Sequence, residues 1–267
     1  MFEHVRAVFL DAGLTLIYSD LSLPTLCYEV GREHDLHVSM PALEAAVPRA
    51  SAFLHHTQRG DPDLWSSDDR VQKMWTGFYS AVYREAGVEA DEATLKACAA
   101  GVYECYLAPG AWKLYPDVLP TLVALRERGY TVGVISDWGS MLIGKVLLPL
   151  GVGRYIDFMV VSTVQREAKP GYGLYREALA RAGVPARHAI HVGDNYISDV
   201  LGARSAGIEG VLLDREGARR DTSLDCPRIE SLEELLPLLG DAALPPRPVA
   251  EATGLQEAKS PSETEER

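Results

Sequence analysis

After Tyr115 the sequence alternates between short apolar runs and longer stretches with helical spacing. The runs are YTVGVIS, FMVVS, HAIHVG and VLLD. The stretches are PDVLPTLVALRERG, GSMLIGKVLLPLG, GYGLYREALARAG, ISDVLGARSAG and SLEELLPLL. A strand buried on both faces reads as a continuous apolar run. Strand–helix alternation of this kind predicts a doubly wound parallel sheet with helices on both sides. One more run, VRAVFL, stops at Asp11 and belongs to the same sheet, although a long segment separates it from its partners.

That segment has helical spacing throughout: LSLPTLCYEVGREHDL, PALEAAVPRASAFLHHTQ, SDDRVQKMWTGFYSAVYREAG and DEATLKACAAGVYECYLA. Ser66–Ser67–Asp68 and Asp91 are predicted N-caps, and Gly87 is a predicted stop. The chain therefore divides into an α/β core, 1–17 and 112–240, and an all-helical insertion, 18–111. From 241 to 267 the sequence is rich in Pro, Glu, Ser and Ala and lacks aromatics, which predicts a disordered tail.

Composition removes several classes of function. The 38 acids outnumber the 26 bases, a formal net charge of −12, and no basic cluster is present to neutralise phosphates of a nucleic acid. No run approaches the roughly 18 apolar residues of a membrane span. The first apolar stretch is broken by Asp11, too soon for a signal peptide. Cys27, Cys98, Cys105 and Cys226 form no C-x-x-C pair and read as packing residues in a reducing compartment. A cytoplasmic protein acting on a small molecule, with neither nucleic acid nor membrane as partner, is expected.

In a parallel sheet, ligands bind beyond the carboxyl ends of the strands. Asp11 ends the first run, Ser136–Asp137 the second and Asp194 the fourth, with Asp199 five residues on. Lys169–Pro170 lies in the loop after the third. Any one of them could cap a turn. Together they would bring carboxylates, a hydroxyl and an ammonium to one place. Carboxylates hold Mg²⁺, a Lys and a hydroxyl hold a phosphoryl oxygen, and an Asp can be the nucleophile. The chemistry suggested is Mg²⁺-assisted phosphoryl transfer.

These motifs, FLDAGLTL at 9–16, VISD at 134–137, AKP at 168–170 and HVGDNYISDVLGA at 191–203, resemble those of haloacid dehalogenase-type (HAD) hydrolases with a helical cap. The AWKLYPDVLPTL segment is similar to the REG-2-like branch. The resemblance implies a Rossmann-like, HAD-like α/β core with an inserted all-helical (C1) cap. It implies Asp11 as nucleophile, Ser136 and Lys169 as phosphoryl-binding catalytic groups, and Thr15 and Asp137 as further substrate contacts. Asp11, Asp194, Asp199 and the backbone carbonyl of Gly13 would hold Mg²⁺.

One position departs from the family. Its first motif usually carries a second Asp, the general acid/base, and then a Gly; here the residues are Gly13 and Leu14. Three readings stay open: a phosphatase that finds its acid/base elsewhere, a dehalogenase- or phosphonatase-like hydrolase, or a catalytically weak protein that binds a ligand or partner. The complete HVGD motif with Asp199 argues for a retained metal. A phosphonatase needs a cap lysine, and Lys73 and Lys96 read as polar-face residues. His55 and His56 are adjacent, so they do not form a zinc pair. Trp65, Trp75, Phe78, Tyr79 and Tyr83 read first as cap core, with a pocket lining as the alternative. Asp61, Asp63, Asp68 and Asp69 read as a solvated loop with a helix cap. Asp137 and Trp138 are expected near the mouth of the site.

Overall fold

The computed structural model describes residues 2–240 apart from 62, 109, 141–142 and 219–222; the side chains of 55 and 59, and the predicted tail at 241–267, lie outside it. Strand β1, Ala7–Leu10, lies inside a six-stranded sheet. The other strands are β4 (Thr131–Ser136), β5 (Phe158–Val161), β6 (Ala189–Gly193), β7 (Glu209–Leu213) and β8 (Arg228–Ile229). The order is β5-β4-β1-β6-β7-β8 and every pair is parallel. Leu10 sits in register with Val134 on one side and Val192 on the other. The carboxyl ends of β1, β4 and β6 therefore lie at one edge, where the strand order reverses.

The apolar runs are buried on both faces because alternate side chains serve different cores. Val8 and Leu10 join Val132, Val134 and Ile190 in one cluster. Ala7 and Phe9 join Ile135, Leu174 and Tyr175 in another. The first cluster is covered by helix α5 (Val118–Glu127) and the last helix, Leu235–Leu239. The second is covered by the helix Tyr172–Ala182.

The insertion folds as four helices: α1 (Leu23–Glu33), α2 (Met40–Gly60), α3 (Asp68–Glu85) and α4 (Glu92–Leu107). Ser67 caps α3 by accepting from the Arg70 N–H, and Asp91 caps α4 by accepting from the Thr94 N–H. Gly87 turns the chain with φ 78°. These helices bury their own core, built on Leu26, Cys27, Leu43, Val82, Tyr83 and Cys98. Cys98 is a packing group, as expected, with Cys105 partly buried against the same cluster; Cys27 packs there too.

Two features had no sequence expectation. One is β8, two residues long and without a readable pattern. The other is an antiparallel ribbon of β2 (Ile17–Tyr18) and β3 (Lys113–Leu114). Through it the chain leaves the sheet for the helices and later returns.

Candidate active site

Asp11 continues β1, its N–H donating to the Val192 carbonyl at 2.9 Å. Lys169 reaches it from the loop after β5. Its Nζ donates to Asp11 Oδ1 at 2.5 Å and to Asp199 Oδ1 at 2.6 Å, and all three side chains are buried. Asp199 lies in a π-helical segment, Tyr196–Leu201. Its Oδ2 accepts from the Asn195 N–H at 2.9 Å, and His191 Nε2 lies 3.2 Å from Oδ1. Gly193 makes this possible: a Cβ there would stand 2.2 Å from the Asp199 carboxyl carbon.

Ser136 ends β4, and its Oγ is buried with no hydrogen-bond partner. Thr15 Oγ1 is in the same condition. A buried hydroxyl without a partner is costly, so such an atom facing a site is suited to a ligand oxygen. Asp137 is turned aside. Its Oδ1 accepts from Ser162 Oγ at 2.6 Å and from the Lys169 N–H at 2.8 Å. It fixes the loop that carries Lys169.

Burial pushes the Asp11 carboxyl up to about 7; Lys169 opposes this, and Asp199 and Asp194 add to it. Burial also pushes Asp137 up. Burial alone would raise Asp199, but Lys169 and His191 outweigh it and hold that carboxyl low. Burial alone would lower Lys169, but Asp11, Asp199 and Asp137 hold it well above its usual value. One ammonium thus serves a site with an excess of carboxylates. Asp11, Asp194 and Asp199 each offer an oxygen, all within 4.8 Å of one another. An all-oxygen donor set and uncompensated negative charge fit Mg²⁺. Asp199 has both oxygens engaged, so it orients Lys169 as much as it offers a ligand atom.

Gly13 lies two residues beyond Asp11, in a loop closed by the Leu14 N–H donating to the Ile17 carbonyl at 2.8 Å. Leu14 takes the left-handed conformation, φ 58°, with its side chain exposed. The indole of Trp138 covers Gly13: a Cβ there would stand 3.4 Å from the ring. Arg215 steadies the same loop. Its guanidinium donates to the Thr15 carbonyl at 2.7 Å and to both Asp117 oxygens, and lies over the Tyr115 ring at 3.8 Å. Sequence reading missed Arg215, Asp117 and His191. The strand-end rule, applied to the residues after VLLD, would have reached Arg215.

Asp68 was read as a helix cap in a solvated loop, and it does more. From the first turn of α3 its carboxylate accepts from the Ser140 N–H at 2.7 Å, the Ser140 hydroxyl at 2.5 Å and the Thr163 hydroxyl at 2.9 Å. It ties the helices to the segment after β4 and to the one-turn helix Ser162–Gln165 after β5. Behind this contact is a cavity of about 250 Å³ between helices and core, lined by Trp75, Phe78, Tyr79, Tyr106, Trp112 and Trp138 among others. Phe78, Tyr79 and Tyr83 are core, as expected, and Trp75 packs against that core; Trp75, Phe78 and Tyr79 also line the cavity. Lys73 and Lys96 do not line this cavity and both are exposed.

A family model described as haloacid dehalogenase-like hydrolase matches residues 5–207. "Haloacid dehalogenase-like hydrolase domain-containing protein 3" of Danio rerio is 36% identical over 214 residues, 77% of this chain and 87% of that protein. A glyceraldehyde 3-phosphate phosphatase of Methanothermobacter thermautotrophicus is 31% identical over 131 residues, 47% of this chain and 58% of that one. The crystal structure of a HAD phosphatase from Thermococcus onnurineus superposes with a TM-score of 0.63 at 25% identity, covering 90% of this chain and 100% of that one.

Proposed function

The chain belongs to the haloacid dehalogenase-like hydrolases, and from that premise we propose that it is a Mg²⁺-dependent phosphatase of a small phosphorylated substrate. The observation that carries the reading is Lys169 bridging Asp11 and Asp199 beside the unpartnered hydroxyl of Ser136. The phosphatase names among the relatives support it.

In this reading a carboxylate oxygen of Asp11 attacks phosphorus, the bond to the leaving oxygen breaks, and an aspartyl phosphate forms. The Lys169 ammonium and the hydroxyls of Ser136 and Thr15 hold the phosphoryl oxygens. Asp137 and Asp199 keep Lys169 in place. Water then displaces Asp11 and releases phosphate. Asp11, Asp194, Asp199 and the Gly13 carbonyl are the candidate Mg²⁺ ligands, and a bound ion neutralises charge on the phosphoryl oxygens. Residues 18–111 act as a cap that excludes water from the first step. The four free cysteines suit a cytoplasmic location; among the described residues no helix is long and apolar enough to cross a membrane.

The test is phosphate release from a panel of phosphomonoesters in Mg²⁺ and in EDTA. Turnover is expected in Mg²⁺ alone, and Asp11→Asn is expected to abolish it. Silence toward every ester would overturn the reading. Halide release from haloacids that persists in EDTA would replace it with the dehalogenase reading, which Gly13 leaves open.

A further inference from the structure

We propose that the cavity between cap and core seats the aromatic ring of the phosphorylated ligand, so that the substrate is an aryl phosphate. This rests on the phosphatase reading above and names its substrate class. Two separate observations lead to it, one about space and one about protons.

Seven of the eleven residues that line the cavity are aromatic. Trp75 and Tyr79 stack with ring centres 6.2 Å apart, Tyr79 and Tyr106 at 6.0 Å, and Trp112 meets Trp138 edge-on at 4.9 Å. This lining offers ring faces and edges to another ring. Its lining residues include no Lys, Arg or His, and the one carboxylate, Asp137, is engaged by Ser162 and the Lys169 N–H. A second anionic group would lose its water there without meeting a cation, and the hydroxyls of Tyr79, Tyr103 and Tyr106 leave room for a ring that carries polar substituents. A cavity of about 150 Å³ holds benzene, so about 250 Å³ holds one substituted ring. Trp138 belongs both to this lining and to the cover of Gly13, two residues from the Asp11 nucleophile. The ring site and the phosphoryl site therefore adjoin.

The proton argument starts from Gly13. It has no side chain to protonate a leaving oxygen, and the indole of Trp138 stands over it. Asp137 is committed to the Lys169 loop. With neither of these residues giving it a proton, the leaving oxygen departs as an anion in this proposal. A phenolate, with a conjugate acid near pKa 10, does so far more readily than an alkoxide, whose conjugate acid lies near that of water, about 15.7. Asp11 Oδ forms a bond to phosphorus; the phosphorus–aryl oxygen bond breaks; the phenolate leaves with the electron pair and takes a proton from bulk water. Water then attacks the aspartyl phosphate, the phosphorus–Oδ bond breaks, and phosphate leaves as the proton passes to solvent.

Two measurements in Mg²⁺ test this. The first compares kcat/KM for ring-substituted phenyl phosphates and for methyl phosphate. A preference for phenyl of at least about tenfold and a steep fall as the leaving-group pKa rises are expected. Equal rates for phenyl and methyl, or a flat dependence on leaving-group pKa, would overturn the proposal and leave the phosphatase reading standing. The second needs no turnover: phenylphosphonate is expected to bind at least about tenfold more tightly than methylphosphonate. It should also perturb tryptophan emission, because Trp75, Trp112 and Trp138 line the cavity. Leu23→Trp, which fills the cavity from α1, should erase the difference. If no ester is hydrolysed but phenylphosphonate still binds preferentially, the phosphatase reading falls and the ring site stands. Equal binding of the two phosphonates overturns the ring site.

Discussion

Gly13 and Leu14 show what a two-residue departure does when the backbone around it is kept. Leu14 still makes the left-handed turn, φ 58°, at a steric cost of about 1–2 kcal/mol for a residue with a Cβ. The turn persists because Asp11 and Ile17 are fixed on either side, by β1 and by β2. Gly13 has no carboxylate, and a side chain there would pack directly against the Trp138 ring, its Cβ at 3.4 Å. Restoring Gly13→Asp alone is therefore expected to gain little. Paired with Trp138→Ala it should raise turnover of alkyl phosphates by about 10²-fold or more, the scale of a general acid. The check is the rate ratio between the single and double variants. Asp11, Ser136 and Asp194 could be singled out because each stands at or just after a strand end, a property of local pattern; Lys169 and Asp199 lie further past theirs and were marked by the AKP and HVGDNYISDVLGA motifs. Asp68 was not legible in this way, because its partner is remote: it meets Ser140. Arg215 stands just past β7, where the strand-end rule reaches its position, but its role shows only in the remote contact with Thr15. Remote polar pairs leave no periodicity in a sequence.

Among elements, the helices were read by period, and that worked where the period is regular. The four cap helices and Tyr172–Ala182 appear where the apolar spacing placed them. ISDVLGARSAG does not form one helix. It begins as a π-helical segment, Tyr196–Leu201, and becomes α-helical only at Gly202–Ser205. The wide turn starts where the Asn195 side chain accepts from the Ile197 and Ser198 N–H groups, and it carries Asp199 back beneath Gly193. A local hydrogen-bond choice of this kind is invisible to hydrophobic period. Asp117, at the start of α5, accepts from Arg215, Ser231 and the Leu232 N–H and so joins three segments. Burial alone would raise its pKa, but these donors outweigh it and hold the carboxyl below its usual range. A lowered folded pKa stabilises above the unfolded value and stops doing so as pH falls through the folded one. Asp117→Asn should thus cost about 2–3 kcal/mol at pH 7. The gap in urea midpoint from the wild type should narrow below about pH 4. Asp68→Asn keeps the Ser67 cap but weakens the contact to Ser140 and Thr163. It should cost about 1 kcal/mol and speed amide hydrogen exchange at 138–140 while α3 keeps its protection.

Across the molecule, charge and hinge decide behaviour together. The acidic site sets three candidate ligand carboxylates, Asp11, Asp194 and Asp199, against one ammonium, Lys169, so a divalent cation should stabilise the fold. At 100 times its dissociation constant Mg²⁺ would add about 2.7 kcal/mol, a rise in Tm of roughly 5–10 °C for a domain of this size. A thermal scan in Mg²⁺ against EDTA checks it, and Asp194→Asn should lose the shift. An unchanged shift in that variant would move the ion elsewhere. The parallel sheet joining β1 to β4–β7 followed from strand–helix alternation, although its strand order did not. The ribbon of β2 and β3 did not, since two-residue strands have no pattern to read. In that ribbon Tyr18 faces Lys113, so the outgoing and returning chain stand side by side. An insert whose two ends meet at one point can be lengthened, shortened or exchanged without altering the distance between the strands it interrupts. The helical side of the cavity is thus free to change independently of the residues at the strand ends.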